Sequence, residues 1–107
     1  MTPKNQTKFT DLQKGILGNC LAACVASLLD LPLREVPRFE KVKDQFKSVH
    51  RFFNKKGYFC DRIRGLPLKK TNCFDDHFIV SYKVKICDHV SHCVIWKNGK
   101  IVHDPRD

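Results

Sequence analysis

The spacing of apolar residues in the first half of the chain is typical of helices. Between residues 19 and 30 the apolar positions recur every three or four residues, at Leu21, Cys24, Val25, Leu28 and Leu29. Asn19 precedes them as a favourable N-cap residue, and Pro32 follows as a helix terminator. The pattern therefore predicts a first helix over residues 19–30.

A second helical pattern begins a few residues later. Its apolar positions also recur every three or four residues, at Phe39, Val42, Phe46, Val49 and Phe53. Gly57 follows as a C-terminal stop, so the pattern predicts a helix over residues 38–55 with a strongly basic opposite face. The segment between the helices, residues 31–37, contains two prolines and is predicted to be a tight turn or a single helical turn.

The pattern changes to a β type after Gly57, because aromatic and β-branched residues become frequent. We predict a short strand over residues 58–63, a loop over 65–76, and three further strands over 78–84, 92–96 and 100–103. Asn98-Gly99 is a strong signal for a hairpin between the last two strands. Helices first and antiparallel strands last predict an α+β fold, with residues 1–12 as a poorly ordered polar arm and residues 13–107 as one domain.

Composition narrows the class of protein. A chain of 107 residues is long enough for one domain with a real core, but it has no room for a second module. No apolar run approaches the roughly 18 residues of a membrane span, and the N-terminus opens polar without a signal-peptide core. We therefore expect a cytoplasmic protein whose six cysteines stay reduced, as core residues, metal ligands or a nucleophile.

The chain is strongly basic, with 20 Lys and Arg against 11 Asp and Glu and a net charge of +9. Such a charge attracts anionic partners, which include nucleic acids, acidic proteins and membrane surfaces. The basic residues are spread along the chain and are densest in residues 41–56 and 62–70. This distribution favours a solvated basic face over a dedicated nucleic-acid groove, and we expect no membrane partner.

Three residues far apart in the sequence form a candidate catalytic set. Cys20 stands at the predicted start of the first helix, where the positive end of the helix dipole favours a thiolate. His92 and Asp104 follow on later strands, in the papain-type order of nucleophile, base and orienting group, and can activate such a nucleophile. Each also has a structural interpretation, as a buried apolar thiol, a hydrogen-bonded core histidine and a turn residue before Pro105.

The register of the predicted hairpin decides whether His92 and Asp104 share a face of the sheet. A two-residue loop sets His92 opposite Pro105, so that His92 and Asp104 lie on opposite faces. A three-residue loop with a bulge sets His92 opposite Asp104, and His103 then points the other way. The triad hypothesis therefore predicts the three-residue loop or an equivalent bulge, whereas the two-residue register favours His103.

Two stretches of the chain carry a resemblance to a known family. They are residues 18–37, beginning GNCLAAC, and residues 92–105, beginning HCVIW. The chain resembles small papain-like cysteine peptidases of bacteria and phages, which are similar to the bacteriocin-processing branch of papain-like enzymes. The resemblance covers about residues 13–105, and its two ends are the specific parts.

The resemblance implies a papain-like fold, in which the N-terminal helix carrying Cys20 packs on a C-terminal antiparallel sheet. It implies Cys20 as nucleophile, His92 as general base and then acid, and Asp104 as the group that holds the imidazole. In the family, the side chain of a preceding Gln forms the oxyanion hole together with the backbone N–H of the nucleophile. Gln13 is the candidate for that Gln, about one residue from the usual spacing, and Asn19 is a substitute. The implied activity is cofactor-free hydrolysis of a peptide, isopeptide or related amide bond through a thioester, although deamidation and acyl transfer use the same residues.

Two other hypotheses compete with a hydrolase. A catalytically inactive protein of the same fold would use its basic helix, residues 38–56, to bind an acidic protein or nucleic acid. Structural zinc is the second, with donors at Cys87, His89, His92 and Cys93 and substitutes at Cys60 and Cys73. The spacing is poor for zinc, because no Cys-x-x-Cys pair occurs. We therefore expect a peptide or protein substrate, acidic in view of the net charge, and favour nucleic acid less.

Overall fold

The computed structural model describes residues 1–9, 11–15, 17–58, 76–84 and 87–106. The elements in chain order are helices α1 (Cys20–Leu29) and α2 (Gln45–Lys55) and strands β1 (Phe78–Val84), β2 (Cys87–Lys97) and β3 (Lys100–His103). Short 3₁₀ helices lie at Leu12–Lys14, Leu33–Glu35 and Phe39–Lys41. The strands form one antiparallel sheet in the order β1-β2-β3, which confirms the predicted α+β class. In the described part of the chain, none of the helices is long and apolar enough to cross a membrane.

Helix α1 lies at the centre of the described core, as its predicted apolar pattern requires. Residues 22–27 are all buried. One side of the helix packs against the segment that leads to α2, including Val36 and Phe39. The other side packs against β2 at Cys93 and Ile95. The helix ends at Leu29 because Asp30 adopts a left-handed backbone conformation and its N–H caps the last turn.

The second predicted helix is shorter than its pattern suggested. In place of one helix over residues 38–55, the structure has the 3₁₀ helix Phe39–Lys41, a break, and then α2. Val42 is extended, and the Asp44 side chain caps α2 by accepting a hydrogen bond from the Lys47 N–H at 3.1 Å. A local cap therefore competed with apolar periodicity and set the helix start. Of the two alternatives predicted between the helices, a tight turn or a single helical turn, the structure has the helical turn, as the 3₁₀ helix Leu33–Glu35.

The hairpin between β2 and β3 has the two-residue loop. Lys97 pairs with Lys100, and the two loop residues Asn98 and Gly99 have φ values of 52° and 77°. Two consecutive positive φ angles are characteristic of the type I′ turn that Asn-Gly favours. Of the two loop lengths considered for the hairpin, the three-residue loop is therefore wrong and the two-residue loop is right.

A bulge in β3 nevertheless restores the face that the triad hypothesis required. The register shifts next to Ile95, which pairs with His103 and leaves Val102 as an extra residue. An extra residue reverses the alternation of side chains for all that follow it. Asp104 thus reaches the side of the sheet where it contacts His92, and the predicted equivalent bulge is confirmed.

The predicted polar arm makes fixed contacts with the rest of the chain. The Lys4 N–H donates to the Ser27 hydroxyl at 2.8 Å, and His103 Nε2 donates to the Lys4 carbonyl at 2.8 Å. The Gln6 N–H donates to the Pro105 carbonyl, also at 2.8 Å. Backbone groups of this polar segment thus satisfy polar atoms at the edge of the core.

Two sequence predictions concern residues that the structure leaves undescribed. The strand predicted over residues 58–63 and the loop over 65–76 fall almost entirely in residues 59–75, outside the described part. Among the later strands, β1 and β3 have their predicted bounds, and β2 extends beyond its predicted residues at both ends.

Candidate functional site

The structure brings together the three residues that the sequence singled out. His92 Nε2 lies 2.7 Å from Asp104 Oδ1, and Oδ1 also accepts a hydrogen bond from the Arg106 N–H at 3.0 Å. His92 is buried, whereas a quarter of the Asp104 side chain is exposed. Because a carboxylate only accepts hydrogen bonds, it holds the proton on Nε2 and leaves Nδ1 as the second ring nitrogen for Cys20.

Cys20 is a free, buried cysteine at the first position of α1, and its environment favours the thiolate. A hydrogen bond from the Cys93 thiol makes the largest contribution to lowering the pKa of Cys20 to about 6, against the opposing effect of burial. The Cys93 N–H, the charge of His92 and a hydrogen bond from the His92 ring lower the pKa further. Cys20 therefore has the low pKa that a cysteine nucleophile needs near neutral pH.

Cys93 is the residue at this site that sequence reasoning missed. Its thiol pairs with Cys20, and this pairing together with burial raises the pKa of Cys93. These opposite directions make the Cys93 S–H the donor of the pair when Cys20 is the thiolate. The sequence signal was present, because Cys93 directly follows His92, but the sequence pattern indicated no role for Cys93 as a partner of Cys20.

The other members of the site are held by neighbouring groups. Burial raises the pKa of Asp104, but hydrogen bonds from the Arg106 N–H and the His92 ring outweigh burial and leave the pKa below its usual value. Tyr82 lies opposite His92 on β1, and its ring meets the imidazole edge-on with 5.7 Å between centroids. This packing and the Asp104 hydrogen bond restrict the orientation of the His92 ring.

The two predicted oxyanion-hole side chains are placed differently from the expectation. Gln13 is exposed in the 3₁₀ helix Leu12–Lys14. Asn19 is buried, and its amide oxygen accepts hydrogen bonds from the N–H groups of Thr7 and Lys8, at 3.0 and 2.9 Å. Within the described residues, no hydrogen bond joins either side chain to Cys20.

Asn19 also differs from its predicted role as the cap of α1. Its side chain makes no hydrogen bond to the amides of the first turn. The Glu40 carboxylate caps the helix instead, because Oε1 accepts hydrogen bonds from the Leu21 N–H at 3.1 Å and the Ala22 N–H at 3.3 Å. Arg38 Nε lies 3.8 Å from the other carboxylate oxygen. Sequence alone offered no signal for a cap that comes from about 20 residues downstream.

In the part of the chain that the structure describes, the first turn leaves the backbone N–H of Cys20 as an open donor. Glu40 occupies the next two amides, and the Ala23 N–H donates to the Asn19 carbonyl at 3.0 Å. Among the described residues, none accepts a hydrogen bond from the Cys20 N–H. A developing oxyanion next to the Cys20 sulfur can therefore bind this N–H.

The described residues give no metal centre, since no three His, Cys, Asp or Glu side chains among them are grouped to hold an ion. Four of the zinc donors considered from the sequence lie outside that part of the chain, either entirely (Cys60 and Cys73) or in their side chains (Cys87 and His89). The other two are engaged elsewhere, because His92 binds Asp104 and Cys93 pairs with Cys20.

Comparison with known proteins assigns neither a family nor a function. No family model, curated protein or solved structure matches this chain. A functional proposal must therefore be based on the geometry around Cys20.

Proposed function

We propose that this chain is a papain-like cysteine hydrolase that cleaves a peptide, isopeptide or related amide bond through a Cys20 thioester. The observation that carries the proposal is the convergence of Cys20, His92 and Asp104 from three distant segments. The 2.7 Å bond between His92 and Asp104, together with the lowered pKa of Cys20, is what a nucleophile, base and orienting residue require.

The proposed mechanism uses only groups that the structure describes. The Cys20 thiolate attacks the substrate carbonyl, and the oxyanion that forms accepts a hydrogen bond from the Cys20 N–H. Protonated His92 gives its proton to the leaving nitrogen as the C–N bond breaks, which leaves a thioester. Neutral His92 then takes a proton from water, the hydroxide displaces the Cys20 thiolate, and the carboxylic acid product leaves. Asp104 holds the imidazole throughout.

The substrate we propose is an exposed peptide or protein segment, acidic because the net charge of +9 attracts anions. Nucleic acid remains the less favoured partner. Cys20 is only 7% exposed, so a slim chain can approach the sulfur more readily than a folded surface. A reducing compartment such as the cytoplasm fits this chemistry, because an oxidised Cys20 cannot act as a nucleophile.

The test is the pH dependence of Cys20 alkylation by iodoacetamide, followed on the Cys20 peptide by mass spectrometry. We expect a midpoint near 6 in the wild type. In H92A the loss of the imidazole charge and hydrogen bond should raise the midpoint and slow alkylation at pH 6.5 by about tenfold or more. Cleavage of an acidic peptide library, with C20A as the matched control, then tests hydrolysis itself.

Two results would count against the hydrolase. Alkylation of Cys20 at the rate of an ordinary buried thiol, unchanged in H92A, would remove the activated pair. Cleavage that persists in C20A would show that the activity does not come from this site.

A second function, an inactive binding protein, is favoured by one observation. The basic side chains Lys47, Arg51 and Lys55 are exposed along α2. Binding of an acidic protein through this face would survive C20A unchanged, whereas the hydrolase would lose its activity. The same variant therefore separates the two functions.

A further inference from the structure

Glu40 is a partly buried carboxylate that nothing in the proposed triad requires. Only 12% of its side chain is exposed, and Oε1 binds the Leu21 and Ala22 N–H groups. Oε2 and Arg38 Nε are both buried without a hydrogen-bond partner, and the two atoms face each other at 3.8 Å. A carboxylate thus lies against the first turn of the helix on which Cys20 is the first residue.

This position has two physical consequences. A negative charge at a helix N-terminus opposes the field that favours a thiolate there. The same carboxylate occupies the second and third amides of the helix, so that of the first three amides the Cys20 N–H is the one left for an oxyanion. Charge and hydrogen bonding therefore act on Cys20 through the same side chain.

We propose that Glu40 is a positioning residue for the nucleophile, which directs the substrate oxyanion to the Cys20 N–H and limits how acidic the Cys20 thiol becomes. The proposal rests on the proposed hydrolase function and adds to it a residue outside the triad. Arg38 opposes the charge of Glu40 and so sets the size of the effect.

The charged and titratable groups around Cys20 come from every element that packs against it. Cys24 lies one turn further along α1, and His92 and Cys93 belong to β2. Asp104 follows β3, and Tyr82 of β1 interacts with the charge of Cys20. Burial and then the charge of Cys20 are the larger causes of the raised pKa of Cys24, and the charge of Asp104 adds to them. The charge of Glu40 makes the smallest of these contributions at Cys24, one turn beyond the residue at which its carboxylate binds the helix.

The experiment compares Cys20 alkylation against pH in the wild type, E40Q and the control E35Q. Glutamine retains an oxygen for the helix amides but loses the charge, so the midpoint in E40Q should fall by about half a unit to one unit. E35Q removes the same charge from an exposed residue and should leave the midpoint unchanged. R38Q removes the opposing cation, and its midpoint should rise.

The outcomes separate this inference from the function on which it rests. Suppose that the wild type shows an activated Cys20 and that E40Q and R38Q have the same alkylation midpoint as the wild type, with a change in melting temperature at most. Glu40 is then a structural cap, and the inference is wrong. If the wild type itself lacks an activated Cys20, the hydrolase proposal fails first. Should E40Q not fold, the opposite shift in R38Q decides the matter alone.

Discussion

Two cysteines one turn apart on α1 differ in almost every chemical respect. Cys20 begins the helix, contacts β2 through Cys93, and has a pKa lowered to about 6. Cys24 is completely buried, and burial followed by the charge of Cys20 raises its pKa. The helix and the residue type are the same, so the difference comes from hydrogen bonding: donors stabilise the anion at the first position, and apolar contacts destabilise it at the second.

The comparison also shows what the helix terminus contributes. The position of Cys20 in the sequence predicts that the helix dipole makes its thiol acidic, but Glu40 occupies that helix terminus. The hydrogen bonds and charge that lower the pKa come instead from Cys93 and His92 on β2. Strand β2 therefore distinguishes the two cysteines, and changes to β2 should make Cys20 more like Cys24.

The largest such change is C93A. It removes the strongest hydrogen bond to the Cys20 thiolate, so the midpoint of Cys20 alkylation should rise by more than about one and a half units, which slows capture at pH 6.5 by about tenfold or more. C93S keeps a hydroxyl donor at the same place and should retain most of the low midpoint. Identical pH profiles for C93A and the wild type would mean that Cys93 does not stabilise the thiolate.

A smaller change is expected for Asp104. D104N keeps an oxygen acceptor for His92 Nε2 but loses the charge that stabilises the protonated ring, and capture of Cys20 at pH 6.5 should fall by about fivefold. The pKa of Asp104 lies below its usual value, so its carboxylate is ionised at pH 6.5, where the two proteins are compared. D104A, which also loses the acceptor, should fall further. Equal rates for all three proteins would remove Asp104 from the site.

The sequence predicted the parts of the fold that depend on local spacing. Helix α1 has its predicted residues to within one position at each end, and β1 and β3 start and end as expected. The Asn98-Gly99 turn was equally local, because two consecutive positive φ angles suit these residues. The predicted start of α2 was wrong. Asp44, which caps the helix, is a residue type that often caps helices. The break before it does not disturb the spacing of apolar residues, so the spacing gave no sign of it.

The candidate site was less predictable, because its geometry depends on contacts that are distant in sequence. The pairing of His92 with Asp104 required a bulge at Val102, and either register was compatible with the same residues. Glu40 caps a helix that begins 20 positions earlier, which no spacing rule anticipates. The oxyanion-hole role of Gln13 and Asn19 depended on their position along the chain, and that position does not indicate which way their side chains turn.

The smallest expected effect on the site is that of C24A, which tests the other member of the comparison. Cys24 lies on α1 and is fully buried against β2. Removal of its sulfur should therefore lower the free energy of unfolding by about 1 kcal/mol, which urea denaturation would measure. Cys20 alkylation at pH 6.5 should change by less than about twofold, because none of the groups that lower the pKa of Cys20 is altered. C20A provides the matched control on the same helix, since it should abolish cleavage. If C24A instead raised the midpoint of Cys20 by a unit, the two cysteines would form one coupled site, and β2 would not be what distinguishes them.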